Sequence, residues 1–322
     1  MKKYNIVLTI SILLLFVNCM PKDNKKEDAE PASKEGLVSF GDPFIMLHDG
    51  TYYAYGTSSP DGIIVYTSND LKTWQIPENN LALNKADVWA DRWFWAPEVY
   101  HVNGKFYMYY SADEHICAAV ADNPLGPFRQ EVQKPMIDGE KCIDNSLFVD
   151  DDGKAYLYFD RFNDGLNIWV AELADNLTEI KPETMQPCIH VSQAWEEVWP
   201  RVNEGSFVVK HNGTYFMTYS ANSYESPFYG VGFATATSPQ GPWTKYENNP
   251  IYQNVGELVG IGHSAMFTDK DGNLRIVFHS HRSKSEIHPR TMHISTVSFE
   301  EKDDREIMKI DPDYITPLLI TN

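Results

Sequence analysis

The chain has 322 residues, 43% hydrophobic, 22% charged and 13% aromatic, which excludes disorder over most of its length. Acidic residues outnumber basic ones by 45 to 27, giving a formal charge of −18 and a pI near 4.9 that argue against nucleic acid as a partner. Four cysteines are too few for a disulfide-stapled scaffold.

In chain order, Lys2 and Lys3 followed by the apolar run Ile6 to Val17 read as a secretory signal over residues 1–18. The run is too short for a membrane-spanning helix. Leu15-Phe16-Val17-Asn18-Cys19 resembles a bacterial lipobox, although Asn18 stands where a small residue is usual. The expectation is export, lipidation of Cys19 and a protein tethered at the periplasmic face or the cell surface, with the lipid as its sole membrane contact. Residues 19–36 mix charges with Pro21 and Pro31, carry no aromatic residue, and read as the tether. Cys117, Cys142 and Cys188 remain, so at most one disulfide can form and buried free thiols are expected.

From Leu37 onward one pattern recurs five times: a small or acidic start, an apolar run, a turn containing glycine, then an aromatic strand. The turn glycines are Gly50, Gly104, Gly153, Gly213 and Gly272. Asp-Gly and Asn-Gly between alternating apolar runs signal hairpins, because both central positions take φ > 0. Further strand-like runs follow, such as Ile63 to Thr67, Cys117 to Ala121 and Leu166 to Ala171. Five units of this size predict an all-β fold, a five-bladed β-propeller over residues 37–322, forming one catalytic domain.

Counting back from the turn glycines, Asp42 and Ala96 lie eight residues before, and Asp144, Glu204 and His263 lie nine before. The extra residue is expected to come from longer turns in the last three units. In a propeller the first strand of each blade lines the axis, so these five positions should converge. Three carboxylates and a histidine gathered there oppose folding stability and mark a functional site.

The stretches Gly41-Asp42-Pro43, Trp95-Ala96-Pro97-Glu98, Ile143-Asp144, Glu204-Gly205-Ser206, Gly262-His263-Ser264 and a late Arg290 resemble glycoside hydrolase family 43. Asn145 departs from the proline common there. The resemblance implies inverting enzymes acting on arabinose, xylose and sometimes galactose linkages. It further implies Asp42 as general base, Glu204 as general acid and Asp144 as the carboxylate that tunes and orients the acid. Arg290 would contact the sugar. His263 would be the axial histidine, either a metal site held through water, with a structural calcium on the axis, or a packed, hydrogen-bonded core residue, and no cofactor is needed for the chemistry. Trp89, Trp95 and Glu98 are further candidates for substrate contact, and Glu196, Glu197 and Arg201 for bonds to sugar hydroxyls.

Inverting hydrolysis uses an acid on the leaving oxygen and a base on a water at the opposite face, with the carboxyls roughly 6.5–9.5 Å apart. An isolated Glu is ionised at neutral pH, so Asp144 is expected to raise the Glu204 pKa by repulsion. The run Asp150-Asp151-Asp152-Gly153 lacks the spacing of a calcium loop and reads as a hairpin tip. His279, His281, His288 and His293 show no zinc spacing. The expected activity is an exo-acting α-L-arabinofuranosidase on plant arabinan or arabinogalactan. The alternatives are a β-D-galactofuranosidase, a β-xylosidase, an endo-arabinanase or, from another class, a glycan-binding lipoprotein without turnover.

Overall fold

Alternating apolar and polar residues around turns with positive φ produce hairpins throughout the chain. The computed structural model describes residues 34–303 and 305–321, within a unit running Ser33–Thr321. The expected signal, Cys19 and most of the tether lie outside the described residues. Sheet one contains β1 (Lys34–Leu37), β2 (Gly41–His48), β3 (Thr51–Ser59), β4 (Gly62–Ser68), β5 (Thr73–Gln75) and β6 (Leu81–Asn84). Sheet two contains β7 (Trp95–Val102), β8 (Lys105–Ala112) and β9 (His115–Ala121). Sheet three is β10 (Cys142–Val149), β11 (Ala155–Phe162), β12 (Leu166–Glu172) and β13 (Gln186–Ile189). Sheet four is β14 (Asn203–His211), β15 (Thr214–Ala221), β16 (Gly230–Ala236) and β17 (Thr244–Lys245). Sheet five is β18 (Gly262–Thr268), β19 (Leu274–Ser280), β20 (Thr291–Lys302) and β21 (Arg305–Ile310). The last strand, β22 (Leu318–Thr321), returns to sheet one, antiparallel to β1 and parallel to β5.

The arrangement is all-β and propeller-like. The first strands neighbour one another in the order β2, β7, β10, β14, β18 and back to β2. Sheet two is short because its fourth-strand position shrinks to a single bridge, Val120 with Arg129, beside Pro124 and Pro127, which have no N–H to donate. The largest core cluster links sheets one, two, four and five through Phe44, Val99, Phe207 and Met266. Cys117 and Cys142 are buried, Cys188 is half-buried, and all three thiols are free.

Every first strand carries a register shift at its beginning. It falls between Gly41 and Phe44, Trp95 and Glu98, Ile143 and Ser146, Glu204 and Phe207, and Gly262 and Ala265. Inside each bulge one residue has positive φ: Asp42, Ala96, Asp144, Gly205 and His263. Blade four therefore departs from the sequence count, since Gly205 rather than Glu204 occupies the bulge. Only sheets three and five have the longer hairpin turn, from Val149 to Ala155 and from Thr268 to Leu274; in sheet four β14 and β15 are joined by Asn212-Gly213 alone. Gly205 lies eight residues before its turn glycine, like Asp42 and Ala96. The seat requires glycine there: φ is +60°, and a Cβ would come within 3.1 Å of the His263 ring.

Candidate active site

The five bulges are tied together by side chains from the second strand of the neighbouring sheet. The N–H of Ala96 donates to Thr57 Oγ1 (2.9 Å), that of Asp144 to Ser111 Oγ (2.8 Å), and that of Gly205 to Asp160 Oδ2 (3.0 Å). The N–H of His263 donates to Ser220 Oγ (2.7 Å), and that of Asp42 to His279 Nδ1 (3.1 Å), closing the circle. Each acceptor pairs with the residue just before its own bulge. This circle assembles Asp42, Asp144 and His263 from three different sheets, with Glu204 one position ahead of the fourth seat.

Asp42 is gripped from several sides. Arg290 Nη1 and Nη2 donate to its two oxygens at 2.7 and 3.0 Å, and the Thr57 hydroxyl donates at 2.7 Å. His263 Nδ1 lies 3.3 Å from Asp42 Oδ1 and 3.8 Å from Asp144 Oδ2, so it stands between the two carboxyls. Burial alone would raise the Asp42 pKa, but Arg290 and then the two histidines outweigh it and hold the carboxyl far below the usual range. Burial, joined by the nearby Arg290 charge, lowers the pKa of His263 and of His279.

Glu204 behaves oppositely. Burial raises its pKa to about 7, with the Asp42 charge adding to the rise and a 2.6 Å hydrogen bond from the Tyr229 hydroxyl opposing it. Burial is thus the leading cause, and the Asp42 charge adds to it, while Asp144 and Glu204 repel each other within the same buried cluster. Asp144 and Asp160 are pushed well above the ordinary range by burial and by repulsion within the carboxyl group, Glu204 included. The site can therefore hold an ionised carboxylate and a protonated carboxyl at the same pH.

Arg290 points its guanidinium at Asp42 and lies over the Tyr224 ring, 4.7 Å from the centroid. A cavity of about 880 Å³ opens beside this grip, lined by Gly41, Thr57, Arg290, Arg92, Trp93 and Trp95. Trp95 is stacked on Trp93 with centroids 5.8 Å apart. Trp89 is placed elsewhere, half-buried against the core with its ring edge on His115. Glu98 is the first paired residue after its bulge, buried and bonded by the Tyr100 hydroxyl, its carboxyl pushed up to about 8 by burial. Glu196 is not available to sugar: it is fully buried and bound by Lys245 (2.6 Å) and Tyr219 (2.7 Å). Arg201 pairs with Asp164 at 2.8 Å, and Glu197 is exposed.

Thr57, Ser111, Asp160, Ser220 and His279 received no role from the sequence, yet each stands seven residues after its turn glycine. That constant spacing was the available signal. Tyr229 had none. Among the described residues, no group of three or more His, Cys, Asp or Glu is arranged to ligate a metal.

The sequence pattern of Glycosyl hydrolases family 43 matches residues 38–304. The chain belongs to this family. It is accordingly an inverting glycoside hydrolase. A solved structure described as an endo-1,4-β-xylanase of Bacteroides thetaiotaomicron is 44% identical to the enzyme, with a TM-score of 0.85, covering 90% of this chain and all of that one. A β-D-galactofuranosidase of Aspergillus niger is 26% identical over 263 residues, 74% of the enzyme and 73% of the relative. An extracellular exo-α-(1→5)-L-arabinofuranosidase of Streptomyces avermitilis is 26% identical over 273 residues, 76% of the enzyme and 55% of the relative. No helix among the described residues is long and apolar enough to cross a membrane.

Proposed function

We propose that the enzyme is an exo-acting α-L-arabinofuranosidase of plant arabinan or arabinogalactan side chains, built as a five-bladed propeller and exported as a lipoprotein anchored through Cys19. Asp42 is the general base, Glu204 the general acid, and Asp144 the third carboxyl, which tunes and orients the acid. The observation that supports the acid–base assignment is the contrast between two buried carboxyls in one cluster, Asp42 gripped by the Arg290 guanidinium and Glu204 raised to about 7 by burial.

The Glu204 carboxyl donates its proton to the glycosidic oxygen as the bond from the anomeric carbon to that oxygen breaks. Water attacks the same carbon from the opposite face and gives a proton to Asp42. The leaving sugar departs as an alcohol and the released sugar has inverted configuration. No cofactor is needed in this scheme, since side chains of this chain hold both protons.

The second reading is a β-D-galactofuranosidase. β-D-Galactofuranose has the ring pattern of α-L-arabinofuranose with an added exocyclic carbon, and the Aspergillus relative bears that activity in its name. The test is a screen of 4-nitrophenyl α-L-arabinofuranoside, β-D-galactofuranoside and β-D-xyloside, with Glu204→Gln as control. Turnover of the arabinofuranoside that disappears in the variant supports the leading reading; turnover of another glycoside alone replaces it. Arabinan yielding only oligosaccharides, without free arabinose, would overturn the exo assignment.

A further inference from the structure

Tyr229 takes neither proton in this scheme, yet it touches both halves of it. It stands immediately before β16 and is fully buried, and its hydroxyl donates to Glu204 Oε1 at 2.6 Å. No other hydrogen-bonding group among the described residues reaches the Glu204 carboxyl. The Tyr229 ring lies nearly parallel to the His279 imidazole, with centroids 5.7 Å apart and planes 17° apart. That imidazole accepts the Asp42 N–H. Against the ring lies Gly262, where a Cβ would come within 2.1 Å of it. The missing side chain of Gly262 leaves the space that the ring occupies.

A neutral carboxyl has one oxygen that carries hydrogen and one that accepts. The Tyr229 hydroxyl has its hydrogen aimed at Oε1, so Oε1 must be the accepting oxygen. Turning the carboxyl over would set two O–H groups against each other or leave the tyrosine hydrogen unpaired in a buried place. We infer that Tyr229 is a positioning residue: it leaves the transferable proton on Glu204 Oε2 and, wedged between Gly262 and His279, holds the acid in register with the base. This rests on the reading of Glu204 as the general acid.

Tyr229→Phe keeps the ring and its stacking and deletes only the hydroxyl. The first measurement needs no substrate: a titration of the Glu204 carboxyl by 13C NMR in protein labelled at glutamate Cδ, with Glu204→Gln identifying the resonance. The midpoint rises in Tyr229→Phe, because the ionised form loses a donor; identical midpoints would overturn the inference. The second compares phenyl and 2,4-dinitrophenyl α-L-arabinofuranosides. On the phenyl glycoside, whose leaving group needs a proton, kcat/KM falls by about tenfold or more; on the dinitrophenyl glycoside, which needs none, it changes by less than about twofold. Equal losses on both, or none on either, would reduce the hydroxyl to a packing role. Should the unaltered enzyme cleave neither, the arabinofuranosidase reading fails, and the titration still decides Tyr229.

Discussion

The backbone N–H of Asp42 donates to His279 Nδ1, joining the first sheet of the described chain to the fifth. Four equivalent bonds join the other sheets, so each bulge is positioned by its neighbour and not by its own hairpin. A side chain at φ > 0 is strained, and strain of about 1–3 kcal/mol per residue persists only where the surroundings impose it. Here the circle of bonds imposes it at Asp42, Asp144 and His263, the residues on which the site is built.

Asp42→Asn and Glu204→Gln should each lower kcat/KM by about 10²–10⁴-fold, the usual worth of a general base or acid. Steady-state kinetics on whichever glycoside is turned over measures this. A loss under about tenfold in either would remove that residue from its role.

The pH profile of kcat/KM should be one-sided. Glu204 must be protonated to act, so activity falls as pH rises through about 7. Asp42 must be ionised and is held far below the usual range, so no ascending limb is expected in the mildly acidic region. An ascending limb centred near pH 5 would show that Asp42 is not held as the structure has it.

Arg290→Ala should release that hold. Burial then dominates and the Asp42 pKa rises, so an acidic limb appears and moves toward neutral pH. Breaking a buried ion pair by removing one partner also costs about 3–5 kcal/mol, readable by denaturant unfolding. An unchanged profile with unchanged stability would contradict the geometry.

Ser111→Ala and Ser220→Ala test the circle of bonds away from the carboxyls. Each leaves one bulge N–H, that of Asp144 or His263, without its acceptor. The expected cost is about 1–3 kcal/mol each in unfolding experiments. Stability within error of the unaltered protein would mean the bonds do not hold the bulges.

Gly205→Ala places a Cβ 3.1 Å from the His263 ring at a φ of +60°. A loss of about 1–3 kcal/mol is expected, with turnover falling as His263 shifts from between Asp42 and Asp144. Unfolding and kinetics on the same preparation separate the two effects.

By itself the sequence determined the hairpins, because Asp-Gly and Asn-Gly turns act over a few residues and alternation assigns each face locally. It also determined that Asp42, Asp144 and His263 recur near one register, eight or nine residues before the turn glycine, the extra residue belonging to the longer turns of sheets three and five. The same count would have exposed Thr57, Ser111, Asp160, Ser220 and His279, seven residues after each turn glycine. Tertiary structure alone decided that Gly205 takes the fourth seat, because the space is denied by His263 from another sheet. It alone brought Tyr229 to Glu204 and Arg290 to Asp42, and it alone set Trp95 in the cavity while Trp89 went to the core. The protonation order was likewise decided there, since burial and charges distant in the chain act through space, and separation along the chain carries no record of distance across the propeller axis.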